Sequence, residues 1–600
     1  MNTSPKIFVV LLIVFIAVAL LDTANAKPPP VTLTVTPSVI SNTYPGVITL
    51  NITSLTNTEN VTIQRWLDLN GNGSIDAGEP MIDAFKITDN NITNALIGGI
   101  TNINVPFDTN PAIGAITTTL NCPAAMLFDT MVGQYVFQVV SPTGRFSPVT
   151  ATFVVTNATP GQSVSGIIYS NGIPFPHAVV VAKNQLADGG AAAVADSSGH
   201  YFLALPPGSY NLIAAMPNLY DDLSSAPSVI LTNGMSATNN LFLTNGAVTI
   251  SGSVYDAANS NGIGGLMLTL QSGDLLAVAF TDTNGNYSAA VTPAFWTIQP
   301  LDSRLARRAY VLPQTTFQVD TTGGNVTNAN IALPRGNALF YGRITDNFNA
   351  PFANVEITGY SGNTYDSSGY SDQNGYYAVA ILGDLTNYWS CNVYSGKSTA
   401  LGNYVVNSGV TTTNSPNQTT LDNFAALPVT AQISGHVQDN SGNAVAGVGL
   451  NAGATINGNY YHSLDGTTDD SGNYFLAVAS GQWSVQFFTG NSSDSLETHG
   501  FVDITAPHVV AIPPTNAVLN ITVYPPGTPF ITSPQRFGSM QFGFLVNGAT
   551  NVSYTVQVST NLASTNWTPL FSLTLTTNTF QPVVDYNATN SLRYYRVLKN

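Results

Sequence analysis

Charge is what this 600-residue chain has least of. Charged residues make up 8% of it, with 16 Lys plus Arg against 32 Asp plus Glu and a formal charge of −16, whereas about a quarter is usual. No basic cluster stands out, so nucleic acid and anionic membrane surfaces, which reward grouped Lys and Arg, are not expected partners. Glutamate is confined to Glu59, Glu79, Glu356 and Glu497, and no carboxylate pair suggests a glycosidase. A Gly-x-Ser-x-Gly elbow, a phosphate loop and a Cys/His pairing are also missing. An enzyme is therefore not expected. The two cysteines, Cys122 and Cys391, are too few for a disulfide scaffold and read as buried free thiols.

What the chain does have is 44% apolar residues, alternating with Thr, Ser and Asn in short runs. That composition argues against disorder, and 600 residues require several domains. The start reads as an export signal, residues 1–26. Lys6 is followed by the apolar run Ile7 to Leu21 and the cleavage pattern Ala24-Asn25-Ala26. No second long apolar run follows, so the mature chain is expected outside the cytoplasm, secreted or at the cell surface, without a membrane span. Residues 27–160 alternate in the manner of an Ig-like β-sandwich.

A unit then returns four times, over 161–245, 246–334, 335–428 and 429–524. Each copy opens on a strand containing Gly166, Gly252, Gly342 or Gly435. Each then reaches an Asp-x-x-Gly turn (Asp196–Gly199, Asp282–Gly285, Asp372–Gly375, Asp469–Gly472) and closes on a strand carrying Tyr210, Trp296, Trp389 or Trp483. A repeat of roughly ninety residues is the mark of an array that spaces or presents something. Asp-Gly turn chemistry explains the turns without metal, and the shared register of the aromatics marks them as core anchors. The tail, 525–600, has its own strand pattern around Tyr554–Leu562, Trp567 and Tyr594–Val597.

The opening Gly, the Asp-x-x-Gly-x-Tyr turn and the Gly-x-aromatic strand together resemble the carboxypeptidase regulatory-like domain and its Cna B-type relatives. Repeats two and three lack the Gly before the closing aromatic. The tail resembles a fibronectin type III-like module. The resemblance implies prealbumin-like sandwiches used as spacers. A zinc peptidase would need His-x-x-Glu, and none of His177, His200, His436, His462, His499 and His508 has Glu at that place. Some Cna B-type domains carry a Lys–Asn isopeptide staple, but repeats two and four contain no lysine. Lys183 and Lys397 read as surface charges.

The sharpest motif lies in the first domain, Asp68-Leu69-Asn70-Gly71-Asn72-Gly73-Ser74-Ile75-Asp76-Ala77-Gly78-Glu79. Calcium takes six to eight oxygens along a tightly turning loop. Asp68, Asn70 and Asn72 would supply side-chain oxygens, Ser74 its carbonyl, Asp76 a direct or water-bridged oxygen and Glu79 a bidentate carboxylate. Gly73 permits the turn and Ile75 is expected to anchor the loop. The flanks alternate as strands, so the Ca2+ expected here is structural.

The fold class expected is all-β, a tandem array of Ig-like and prealbumin-like sandwiches forming a monomeric rod. The function expected is non-catalytic spacing or presentation toward an extracellular protein or polysaccharide. Two alternatives stay open. One is a carbohydrate-binding protein, with Tyr460 and Tyr461 as contacts of which a strand exposes one. The other is a hydrolase with an unrecognised site.

Overall fold

A computed structural model describes residues 29–600 except 122–127, 159–160, 186–188, 315–316, 363, 394–397, 513–514, 577–578 and 590–591. The export signal, Cys122 and Lys397 lie outside the described residues. The chain is all-β, and among the described residues the α-helix is a single short turn, Asp302–Ala306. Two compact units form, residues 1–402 with 409–425, and 403–408 with 426–600.

The first unit begins with a two-sheet sandwich. Thr32–Thr36, Val47–Thr53 and Ile116–Asn121 make one sheet, and Val39–Ser41, Val149–Thr156, Gly133–Val140, Asn60–Asp68 and Met81–Thr88 make the other. Alternation buries one side of each strand, Leu33 and Val35 in the first and Ile48, Leu50 and Ile52 in the next. These meet Ile63, Tyr135, Phe137 and Phe153 from the facing sheet.

Each repeat is built on one frame, and its register is the same in all four copies. The opening strand pairs antiparallel with the strand after the Asp turn, setting Gly166 opposite Tyr201, Gly252 opposite Tyr287, Gly342 opposite Tyr377 and Gly435 opposite Tyr474. Each tyrosine hydroxyl donates to a backbone carbonyl crossing above the glycine, that of Asn239, Ala329, Asp422 or Leu519, at 2.5–2.7 Å. A Cβ on the glycine would lie 1.7–2.1 Å from that same oxygen. Glycine is thus required by close approach, not by backbone angle.

The residue after each of those carbonyls is Asn, and its side-chain oxygen accepts from the N–H following the opening glycine. Asn240 bonds Ile167, Asn330 bonds Ser253, Asn423 bonds Arg343 and Asn520 bonds His436, at 2.9–3.0 Å. The asparagine thereby carries the closing segment across a gap in the ladder. On at least one side of this crossing, each closing segment pairs parallel to the opening strand.

The closing aromatics are core, as their register implied. Trp296, Trp389 and Trp483 are fully buried and Tyr210 nearly so. Trp296, Trp483 and Tyr210 each donate to the carbonyl four residues back. The Trp389 indole nitrogen has no partner, which matches its later position after its turn.

Within the first unit the domains are joined by contacts that reach beyond neighbours in the chain. Tyr220, Asp221 and Asp222 of repeat one pair with Ala277, Leu276 and Leu275 of repeat two, fusing their sheets. Val179 and Ala192 of repeat one join the core of the first domain. Asn104 of the first domain bonds Ala378 and Tyr370 of repeat three.

The second unit holds repeat four and the tail. In the tail, the sheets Phe530–Phe537, Gln541–Asn547, Phe580–Asp585 and Thr568–Leu575, Val552–Ser559, Tyr594–Lys599 enclose Phe544, Val546, Tyr554, Val556 and Leu573. Among the described residues no helix is long and apolar enough to cross a membrane.

Candidate functional site

The loop at 68–79 leaves the end of strand Asn60–Asp68 and returns into Met81–Thr88. Three glycines with positive φ, Gly71, Gly73 and Gly78, let it coil, a conformation strained for other residues. Asp68 is buried, and its carboxylate accepts from the N–H groups of Gly71, Asn72 and Gly73 at 2.7–3.2 Å. Glu79 is also buried and straps the loop, one oxygen accepting from Leu69 N–H and the other from Asp76 N–H, both at 2.8 Å.

Asp76 is exposed and takes the amide N–H groups of Asn70 and Asn72 at 2.7 and 2.6 Å. Those two bonds hold its pKa below the usual carboxylate value. Asn70 and Asn72 in turn accept from the N–H groups of Asn72 and Ser74. All six residues expected to bind metal thus belong to one hydrogen-bonded group, Ser74 through its N–H. The anchor differs from expectation. Both Leu69 and Ile75 are half-buried, but it is Leu69 that packs against the core of the first domain.

The donor set is hard oxygen throughout, which suits calcium. Among the described residues no group of three or more His, Cys, Asp or Glu side chains is gathered closely enough to hold a metal alone. An ion here would depend on the asparagine and backbone oxygens as much as on the carboxylates.

The repeat turns are different. In each, one oxygen of the aspartate accepts from two N–H groups of its own turn. These are Ser198 and His200 for Asp196, Asn284 and Asn286 for Asp282, Asn374 and Tyr376 for Asp372, and Ser471 and Asn473 for Asp469. The turn glycines take the positive φ of 75–81° that the turn demands.

Of the two candidate sugar contacts, Tyr460 is exposed and Tyr461 buried, and Tyr460 stands edge-on to His462. Lys183 is exposed on its strand, away from any core where a covalent staple would form. Cys391 is a free, fully buried thiol whose pKa burial pushes up.

One constellation was not anticipated. The reading of no basic cluster overlooked Arg304, Arg307 and Arg308, gathered on and just after the short helix of repeat two. They reach into the first domain. Arg307 bonds Asp83 and Asp129 at 2.6 Å each, Arg304 contacts both carboxylates, and Arg308 bonds Asp83 at 3.1 Å. Arg65, stacked 4.1 Å over the Tyr135 ring, comes within 3.8 Å of Asp129. Burial alone would raise the Asp83 pKa, but the three guanidinium groups outweigh it and hold the carboxyl well below the usual range. The sequence signal was the spacing Arg-x-x-Arg-Arg in a chain otherwise poor in cations.

No family model matches this chain, and no curated protein does. Solved structures similar to it include the Bacillus anthracis TIE protein, at 13% identity over 68% of this chain and 78% of that one, with a TM-score of 0.15. The Streptococcal ancillary pilin is 10% identical over 47% of this chain and 93% of its own, TM-score 0.15. BcpA, the major pilin subunit of Bacillus cereus, is 10% identical over 61% and 99%, TM-score 0.13. Similarity at that level carries no argument about activity.

Proposed function

We propose that this protein is a non-catalytic structural component of the cell exterior, a spacer that presents a binding surface. Its repeats are read as carboxypeptidase regulatory-like or Cna B-type sandwiches and its tail as a fibronectin type III-like module. The observation that carries the reading is the fourfold frame. In every repeat the groups with chemical potential are engaged in holding strands: the aspartate on its own turn, the tyrosine on the crossing carbonyl, the tryptophan or tyrosine in the core. The same construction repeated four times serves length and display rather than a reaction.

Calcium at 68–79 is part of the same proposal. Asp68, Asn70, Asn72, Ser74, Asp76 and Glu79 would hold it, fixing the end of strand Asn60–Asp68 near the inter-domain contacts of the first unit.

The test is to place a tag at the C-terminus and treat intact cells with protease. A displayed spacer is cleaved or shed, and the tag is lost from the cell. A tag that survives while cytoplasmic markers also survive, and that is cleaved only after lysis, would overturn the reading.

A further inference from the structure

The buried arginine group opens onto a cavity of about 650 Å³ between the first domain and repeat two, a volume in the range of small-molecule sites. Lys86, Arg307, Arg308 and Arg335 all line it, with Asp256 the one acid among the lining residues. Four of the chain's 16 basic residues thus meet in one cavity of a molecule whose formal charge is −16. Counting the layer behind it, six cationic side chains (with Arg65 and Arg304) surround three carboxylates, Asp83, Asp129 and Asp256.

Arg308 forms part of the cavity wall. Its side chain is 9% exposed, its terminal nitrogens bond Gly264 and Gly265 carbonyls and Asp83, and its Nε has no partner. Burial draws its pKa down, and Asp83 offsets that only in part. Asp83 is shared among Arg304, Arg307 and Arg308, so the wall of the cavity keeps an excess of positive charge. The rest of the lining suits a polyhydroxyl ligand. Asn259, Asn261 and Asn284 present exposed amides, and Tyr310, its hydroxyl fixed on Asp256 at 2.8 Å, adds an aromatic side chain to the lining.

We propose that this cavity binds an acidic saccharide, one or two sugar units bearing a carboxylate. The carboxylate lies at the mouth beside Lys86 and Arg335, against the positive wall of Arg307 and Arg308, and the asparagine amides take the ring hydroxyls. Carboxylate recognition by a guanidinium is charge-assisted and directional. The site is separate from the spacing role and from the loop at 68–79.

The experiment is calorimetric titration of residues 27–600 with digalacturonate, with a neutral disaccharide and with inorganic sulfate. Digalacturonate is expected to bind more tightly than either of the others. Lys86→Gln, at an exposed position of the lining, is expected to weaken it by at least about tenfold with an unchanged melting temperature. Asn259→Ala with Asn261→Ala is expected to weaken digalacturonate while leaving sulfate unaffected. No binding of digalacturonate, or equal binding of the neutral disaccharide, would overturn the proposal. Sulfate binding as tightly as digalacturonate would overturn the saccharide assignment.

Discussion

The loop at 68–79 and the four repeat turns are written in the same residues, Asp, Asn, Ser and Gly, yet their carboxylates do different things. A turn aspartate such as Asp469 is exposed and satisfied by two N–H groups of its own turn, so the turn is complete in itself. In the loop, Asp68 and Glu79 are buried and Asp76 closes over two asparagines. Buried carboxylates accumulate negative charge that hydrogen bonds only partly compensate. Burial of two of its carboxylates, and not composition, separates the loop from a turn.

That distinction can be broken or sharpened by substitution in residues 27–600. The largest effect is expected in the repeat frame, where no metal is involved. Gly435→Ala places a methyl 1.7 Å from the Leu519 carbonyl oxygen and should destabilise repeat four by about 3–5 kcal/mol. Thermal unfolding should show the same loss in calcium and in chelator. A calcium-dependent loss would mean the frame and the metal are coupled.

Next in size is Glu79→Ala, which leaves the N–H groups of Leu69 and Asp76 without their acceptor. A cost of about 2–3 kcal/mol is expected even in chelator. The rise in melting temperature expected from calcium in the unsubstituted protein should vanish. If that rise persists, Glu79 is a structural strap only and the ion is held elsewhere or not at all.

The smallest effect is expected from Asp469→Ala, about 1 kcal/mol for lost turn hydrogen bonds, identical with and without calcium. A calcium-dependent difference there would erase the contrast between loop and turn.

Parts of this architecture were legible because they are local or periodic. The opening glycines, the Asp-x-x-Gly-x-Tyr turns and the aromatic anchors repeat at fixed places, and short-range physics accounts for each. Asn240, Asn330, Asn423 and Asn520 went unread, although each precedes an apolar-x-apolar run of the closing strand. Their partners lie at the far end of the repeat, and asparagine is too common here to stand out. The arginine group was missed for a different reason. Its meaning depends on Asp83 and Asp129, more than 170 residues earlier, and pairing across domains leaves no periodic trace. At 68–79 the anchor expected at Ile75 is Leu69 instead, which packs against the core of the first domain beside the strand end.

The parallel neighbours within each repeat have one more consequence. The first strand of a repeat enters from the N-terminal side, and the closing segment beside it leaves toward the C-terminal side, as in Val254–Asp256 against Ile331–Leu333. Tension applied between the ends of a repeat would draw these two strands past each other along their length. The hydrogen bonds between them, with the asparagine bond and the glycine–tyrosine crossing, would bear that load together in shear instead of parting one at a time. Repeats two and four have no lysine from which to form a covalent staple, and topology gives them resistance to pulling by another route.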